Sequence, residues 1–153
     1  MVTYNGEDEK RLEKCLSSIE NQTLKPTETI ICLDGKLRQS LLNVINNYMQ
    51  KINIKLIKNK KSSLAENLNI GLINCKYDYI VRCDSDDISL PNRFYEHINL
   101  LNNSVLDVVS SNSIEILNNE TRIKRIPHGL IDKNSAYRFF RNPVNHNVCA
   151  FRK

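Results

Sequence analysis

The segment YDYIVRCDSDDISLPNRF, residues 77–94, changes within a few positions from a strand pattern to an acidic cluster and then to a helix pattern. Its first part, DYIVRC (78–83), carries adjacent aromatic and β-branched residues and predicts a buried strand. Three aspartates then fall within the four positions 84–87. Pro91 is tolerated in a first helical turn and predicts a helix from there to about Leu101. A buried strand followed by a helix is the repeating unit of an α/β sheet.

Strand and helix patterns alternate in the same way on both sides of this segment. Short β-branched runs predict further strands at 1–4, 29–33, 54–57 and 106–111. Apolar residues at helical spacing predict the intervening helices, with Leu12, Cys15, Leu16 and Ile19 in the first, Leu37, Leu41, Val44, Ile45 and Tyr48 in the second, and Leu64, Ala65, Leu68 and Leu72 in the third. Strands that are apolar on both faces and separated by helices predict a three-layer α/β/α domain with a mostly parallel, twisted sheet.

The C-terminal segment departs from this alternation. SIEIL, NNET and RIKRI predict a hairpin at 113–126, followed by a short helix near 132–141 and a final strand at 147–151. A chain of 153 residues with 41% hydrophobic and 25% charged composition can bury one sizeable core but hardly two. We therefore expect a single domain over residues 1–153.

Composition narrows the class of protein. No apolar run approaches the roughly 18 residues of a membrane span, and the N-terminus lacks the apolar core of a signal peptide, so we expect a cytoplasmic location. The five cysteines are odd in number and form no CxxC pair. They predict free thiols in a reducing compartment and exclude a disulfide framework or a zinc site. The formal charge of +5 suits an anionic partner.

Acidic residues follow two of the predicted strands. Asp34 comes directly after strand 29–33, and the 84–87 cluster comes directly after strand 78–83. Since ligands bind beyond the carboxyl ends of the strands in such sheets, both loops should open on one edge. Clustered carboxylates repel one another unless a cation neutralises them, and oxygen ligands select Mg²⁺ or Mn²⁺. The alternative is that Asp86 or Asp87 caps the helix that begins near Pro91.

Five segments, in order along nearly the whole chain, carry a resemblance to a known family. They are VTYNGEDEKRLEKCLSSIENQT (2–23), PTETIICLDG (26–35), SSLAENLNIGL (62–72), YIVRCDSDDISLPNRF (79–94) and NPVNHNVCAFRK (142–153). Together they resemble the N-terminal, donor-binding part of a family 2 glycosyltransferase with the GT-A fold, and the fourth segment resembles the DxD motif of that family. The resemblance implies a Rossmann-like nucleotide-binding sheet.

The resemblance also implies residue roles. Asp34 would accept a hydrogen bond from the nucleotide base, and Asp84 would lie toward the ribose and phosphates. Asp86 would hold a Mn²⁺ or Mg²⁺ ion that bridges the diphosphate of a nucleotide sugar. The residues implied to line the nucleotide pocket are Val2, Thr3 and Tyr4. Secondary site candidates are Ser85, Asp87 and His146.

The implied reaction is inverting transfer of a sugar to a hydroxyl group in cell-surface polysaccharide synthesis. The resemblance implies a nucleotide-diphosphate sugar as donor, with a UDP-sugar as first choice, and a saccharide or lipid-linked acceptor. The general base of the family lies beyond the segment that here ends at Lys153, so the catalytic residue is unassigned. We expect the chain to be truncated at both ends. Three cations in RIKRIPHG (122–129) suit peripheral contact with anionic lipid at the inner face of the membrane, and a solvated hairpin is the alternative.

Two other classes of function remain open from the residues. A haloacid-dehalogenase-type phosphohydrolase also has a DxD sequence after a buried strand, with its first Asp as nucleophile, but places it after the first strand of the sheet. A non-catalytic nucleotide-binding module would need only the donor site. A nucleic-acid partner is not expected, because the chain has no recognisable binding motif and an aspartate edge repels phosphates.

Overall fold

The computed structural model describes residues 1–117, 120–124 and 144–153. Three parallel strands form the first sheet in the order β1-β2-β3: β1 (Val2–Tyr4), β2 (Thr29–Asp34) and β3 (Ile54–Asn59). Parallel neighbours need a crossover connection, which α1 (Glu9–Glu20) supplies between β1 and β2 and α2 (Gln39–Met49) supplies between β2 and β3. This sheet confirms the predicted parallel α/β character.

Helices cover both faces of the central strand β2. Ile31 and Leu33 belong to the large apolar core that contains the buried residues of α1 and α2. The intervening residue Cys32 points the opposite way, toward α3 (Leu64–Asn74), because side chains alternate along a strand. Gly71 of α3 lies so close that a Cβ atom there would be 3.1 Å from the Cys32 Sγ. The three-layer arrangement is therefore confirmed.

A second sheet has three strands in the order β4-β8-β5. Its members are β4 (Tyr79–Val81), β5 (Val108–Ser110) and β8 (Cys149–Arg152), and β8 runs antiparallel to both neighbours. The final strand begins two residues later than expected, because His146–Val148 form a short 3-10 turn. The helix α4 (Arg93–Asn102) packs on this sheet through Leu101.

The two sheets enclose an apolar cavity of about 590 Å³. Met1 and Ile30 line it from the first sheet, and Tyr79, Val81 and Phe151 line it from the second. Among the described residues no hydrogen-bonded ladder joins β1 to β4. The described strands therefore form two separately hydrogen-bonded sheets with the cavity between them.

The predicted start of the fourth helix is wrong by two residues. Pro91 lies in a turn that the hydrogen bond from the Arg93 N–H to the Leu90 carbonyl closes at 3.0 Å, and α4 begins at Arg93. The Pro91 carbonyl accepts a hydrogen bond from the distant Thr23 backbone at 2.9 Å. Asn92 occupies the N-cap position. The alternative that Asp86 or Asp87 caps this helix is therefore also wrong.

The C-terminal hairpin is confirmed. The strands β6 (Ser113–Leu117) and β7 (Glu120–Lys124) pair antiparallel. The helix expected near 132–141 and residues 125–129 of the basic stretch lie outside the described residues. Within the part of the chain that the structure describes, no helix has the length and apolar content to cross a membrane.

Candidate functional site

A cleft of about 290 Å³ opens where β1, β2 and β4 end. It receives side chains from β1, from the loops that follow β1 and β4, from the end of β2 and from α3. Its lining residues are Val2, Tyr4, Glu7, Asp34, Leu64, Asn67, Asp84, Ser85 and Asp86. Six of these are site residues that the sequence predicts, so the structure brings most of the predicted set together, while the ligand assigned to each stays a prediction.

Three predicted residues do not line this cleft. The Thr3 side chain is fully buried, because it alternates with Val2 and Tyr4 and points to the opposite face of β1. His146 contacts the Arg82 guanidinium through its Nδ1. Asp87 is not among the lining residues; burial, together with the charges of the neighbouring aspartates, raises the pKa of its carboxyl.

Asp34 is held at the end of β2 by two donors. Its Oδ1 accepts hydrogen bonds from the Ser62 backbone at 2.8 Å and from the Asn67 amide at 3.0 Å. Asn67 is fully buried and is itself fixed by the Asn59 amide at 3.0 Å. Gly35 follows with φ of 77°, a conformation that favours glycine and lets the chain turn away at once. One carboxylate oxygen of Asp34 is thus used by the protein, which leaves Oδ2 for a ligand.

The aspartate loop is held from two sides. Arg82 donates to Asp84 Oδ1 at 3.0 Å, and the Cys15 thiol of α1 donates to the Asp84 carbonyl at 3.2 Å. Farther along, the buried side chain of Gln22 donates to the Leu90 carbonyl at 2.8 Å and accepts from the Phe94 backbone at 3.0 Å. The C-terminal end of α1 therefore fixes the segment that leads from the aspartates into α4.

The charge of the cleft is negative. Its lining contains four carboxylates, those of Glu7, Asp34, Asp84 and Asp86, and none of the lining residues that the structure describes is Lys, Arg or His. Asp86 is half exposed, and within the described part of the chain its ion pair is a long one with the exposed Arg11, whose Nη1 lies 4.0 Å from Asp86 Oδ2. A phosphate group entering such a cleft needs a cation to offset the repulsion.

The residues present fit a divalent cation held jointly with a ligand. Carboxylate oxygens are the donors that Mg²⁺ and Mn²⁺ prefer, and Mg²⁺ is commonly bound by one or two carboxylates together with phosphates. No group of three or more His, Cys, Asp or Glu side chains close enough to hold a metal occurs in residues 1–117, 120–124 and 144–153. Protein oxygens alone therefore make an incomplete coordination shell there, which phosphate oxygens and water could complete.

Three lining residues, Glu7, Leu64 and Asn67, were not predicted as site residues, although all three stand in segments quoted for the resemblance. Glu7 lies in the loop after β1, and that loop opens on the same edge as the loops after β2 and β4. The position of Glu7 after a predicted parallel strand could therefore have indicated it as a site residue. Asn67 carries no such signal, because a polar residue inside a helix pattern is usually exposed and Asn67 is fully buried.

All 153 residues match the family model described as Glycosyl transferase family 2. The chain belongs to glycosyl transferase family 2. This membership removes the haloacid-dehalogenase alternative.

Two curated relatives are similar to nearly the whole chain. The first, an amylovoran biosynthesis glycosyltransferase of Erwinia amylovora, is 35% identical over 98% of this chain. The second, UDP-Gal:alpha-D-GlcNAc-diphosphoundecaprenol beta-1,3-galactosyltransferase of Escherichia coli, is 34% identical over 100% of it. The chain spans 57% of the length of each relative.

Solved structures show the shared GT-A fold of this family 2 chain. The mannosyltransferase PcManGT of Pyrobaculum calidifontis, in complex with GDP-Man and Mn²⁺, superimposes with a TM-score of 0.65 at 14% identity, covering 99% of this chain and 42% of that one. The S. aureus TarS structure superimposes with a TM-score of 0.62 at 20% identity, covering 71% of this chain and 20% of that one. The GT-A fold predicted from the sequence is confirmed.

Proposed function

We propose that this chain is the donor-binding part of an inverting glycosyltransferase that binds a nucleotide-diphosphate sugar through a divalent metal ion. The sugar passes to a hydroxyl group of a saccharide or lipid-linked acceptor in cell-surface polysaccharide synthesis. The observation that carries the proposal is the composition of the cleft. The described lining holds four carboxylates and no cation, and one of the four, Asp34, has a free oxygen that suits a base N–H.

Each part of the cleft has one task in this proposal. Asp34 Oδ2 accepts from the base, while Val2 and Tyr4 contact the nucleoside from β1. Asp86, with Asp84 beside it, supplies oxygens to a Mn²⁺ or Mg²⁺ ion. Such an ion stabilises the negative charge that develops on a diphosphate leaving group. Arg82 keeps the Asp84 carboxylate in place.

A UDP-sugar is the first choice of donor. The Escherichia coli relative carries UDP-Gal in its name, and its acceptor is named as a diphosphoundecaprenol-linked sugar. That name supports a lipid-linked acceptor and action at the inner face of the membrane. The Mn²⁺ in the Pyrobaculum calidifontis complex supports a divalent ion. The general base is proposed to be a residue other than the cleft carboxylates, since in this proposal those are committed to nucleotide, metal or Ser85.

Calorimetric titration of UDP with and without Mn²⁺ tests the proposal. We expect wild type to bind UDP at least about tenfold more weakly when EDTA removes the metal, a difference of about 1.4 kcal/mol. Asp86→Asn keeps the shape of the side chain and removes its charge, so its UDP affinity should no longer respond to Mn²⁺.

The matched control is Asp107→Asn, which makes the same change at an exposed position before β5. It should keep the full response to Mn²⁺. Equal UDP affinity of the wild type with and without metal would overturn the metal-bridged site. An unchanged response in Asp86→Asn would remove Asp86 from it.

A further inference from the structure

We infer that Glu7 is a positioning residue for the metal-binding loop, and that its buried carboxylate holds Ser85 so that the flanking aspartates are set for a diphosphate-bound cation. The inference rests on the function proposed above. Glu7 lies 78 positions from Ser85 in the sequence. It stands on the loop after β1 of the first sheet, whereas Ser85 stands on the loop after β4 of the second.

The carboxylate of Glu7 is almost completely buried and uses both oxygens. Glu7 is 6% exposed and Ser85 is 5% exposed. Oε2 accepts a hydrogen bond from the Ser85 hydroxyl, and Oε1 accepts one from the Asp8 backbone at 3.0 Å. Burying an ionised carboxylate is costly unless such bonds are made, and removing one partner leaves the other unsatisfied. The contact therefore constrains where Ser85 can lie.

The loop that carries Glu7 is itself fixed from outside. Arg38, at the start of α2, donates to the backbone carbonyls of Asn5 and Glu7. Its backbone N–H donates to the Asn5 side chain at 2.7 Å, and its guanidinium pairs with Glu9 at 2.8 Å. Gly6 permits close packing in this loop, because a Cβ atom there would be 2.5 Å from the Tyr4 ring. Glu7 is thus a fixed point to which Ser85 is attached.

Asp86 depends on this attachment more than Asp84 does. Asp84 has its own contacts, from Arg82 at 3.0 Å and from Cys15 at 3.2 Å. The described contact of the Asp86 side chain is a long one, 4.0 Å to the exposed Arg11. Two described hydrogen bonds restrain the backbone next to Asp86: the Glu7–Ser85 bond, one residue away in the chain, and the longer turn bond from the Asp87 N–H to the Asp84 carbonyl at 3.4 Å.

Substitutions at Glu7 separate hydrogen bonding from charge. Glu7→Ala removes both, whereas Glu7→Gln keeps an oxygen that can accept from Ser85 and removes the charge. Ser85→Ala removes the same hydrogen bond from the other side and keeps Glu7 charged. The matched control is Glu13→Ala, which removes an exposed glutamate from α1.

The experiment measures UDP affinity in EDTA and in Mn²⁺ by calorimetry, together with Mn²⁺ affinity of the UDP-loaded protein by electron paramagnetic resonance. We expect Glu7→Ala and Ser85→Ala to weaken Mn²⁺ binding on the order of tenfold, the effect of losing one good hydrogen bond, with no comparable loss of UDP affinity in EDTA. Glu7→Gln should lie closer to wild type than Glu7→Ala, and Glu13→Ala should match wild type. A double variant, Glu7→Ala with Ser85→Ala, should lose little more than either single variant, since both remove one interaction.

Each contrary result has one meaning. Equal losses in EDTA and in Mn²⁺ would show a general structural role and overturn the inference. Glu7→Gln as weak as Glu7→Ala would show that charge matters instead of the hydrogen bond, which also overturns it. If UDP binding by the wild-type protein depends on Mn²⁺ and Ser85→Ala binds Mn²⁺ as tightly as wild type, this inference alone is overturned. If UDP binding by the wild-type protein does not depend on Mn²⁺, the proposed function is overturned as well. If Glu7→Ala does not fold, Ser85→Ala decides.

Discussion

Buried polar side chains at the residue scale join distant segments around the cleft. Gln22 links α1 to the start of α4, and Asn67 links α3 to Asp34 at the end of β2. Both are 1% exposed or less. Truncating such a residue costs more than one average hydrogen bond, because its partners stay buried and lose their bonds. These positions therefore connect stability with the geometry of the site.

The free energy of unfolding should depend on pH through His97. It is 3% exposed in α4, and burial, with the Arg93 charge adding to it, lowers the pKa of its imidazole from 6.5 to about 4. The unfolded chain therefore binds more protons between these pH values, and stability must fall as the pH falls through this range. We expect a loss from this group of up to about 3 kcal/mol in the free energy of unfolding between pH 6.5 and pH 4.

Urea denaturation at several pH values measures this loss, with His97→Gln as the non-titrating comparison. Carboxylates titrate in the same range in both proteins, so the difference between the two curves isolates the histidine. The difference should shrink toward low pH. Parallel curves would show that His97 titrates normally in the folded protein.

The element that most directly shapes the cleft is α3. Its first turn has a capping box, in which the Ser63 hydroxyl accepts from the Glu66 backbone at 3.2 Å and the Glu66 carboxylate accepts from the Ser63 backbone at 3.0 Å. These bonds lower the pKa of Glu66. One residue further on, Asn67 points inward to Asp34, so the cap fixes the turn that supports the Asp34 carboxylate, which is proposed to bind the base.

Substitution of Gly71 tests how closely α3 packs on β2. Alanine at this helical position would add about 1 kcal/mol of helix propensity, but its Cβ atom would be 3.1 Å from the Cys32 Sγ. We expect Gly71→Ala to be more favourable when Cys32→Ala removes the sulfur, with a coupling of about 0.5–2 kcal/mol between the two changes.

A double-mutant cycle by chemical denaturation measures this coupling. Cys15→Ala is the control background, because Cys15 is an equally buried cysteine on α1, on the other face of the sheet. Gly71→Ala should have the same effect there as in wild type. Additivity with Cys32→Ala would show that α3 lies farther from β2 than the structure has it.

At the scale of the whole molecule, the buried apolar residues that the structure describes form two cores of unequal size. The first contains 14 buried residues around β2, α1 and α2, and the second contains three, Leu101, Val109 and Ala150. The cavity of about 590 Å³ lies between the sheets. Since the cleft takes Asp34 from one sheet and Asp84 to Asp86 from the loop after the other, a bound ligand would join the two parts.

Hydrogen exchange followed by mass spectrometry tests this division. Amides of β4, β5 and β8 should exchange faster than those of β2, because fewer buried contacts oppose their local opening. Adding UDP with Mn²⁺ should slow exchange in residues 79–87 more than in β2. Asp86→Asn should lose the part of this slowing that depends on Mn²⁺. Uniform protection of both sheets in the free protein would contradict the division.

Much of the fold follows from the sequence by itself, because the patterns involved are local. The helices α1, α2 and α3, the strands β1 to β3 and the hairpin at β6 and β7 are all recovered. The apolar residues of α3 do not mark its buried face, because Leu64 is 53% exposed and Asn67 is the buried residue of that helix. The carboxyl ends of parallel strands share one edge, so Asp34 and the aspartate loop could be predicted to meet. Family motifs added residue roles that spacing could not supply.

Tertiary structure alone decided the features that depend on partners far along the chain. The place of β8 between β4 and β5, the start of α4 at Arg93, and the attachment of Ser85 to Glu7 are of this kind. In each case a backbone or side-chain group forms a hydrogen bond with a partner tens of residues away. The local sequence pattern does not predict which residue that partner is. Periodicity encodes which side of an element is buried, whereas the identity of the distant partner is set only when the packed elements bring specific polar groups within bonding distance.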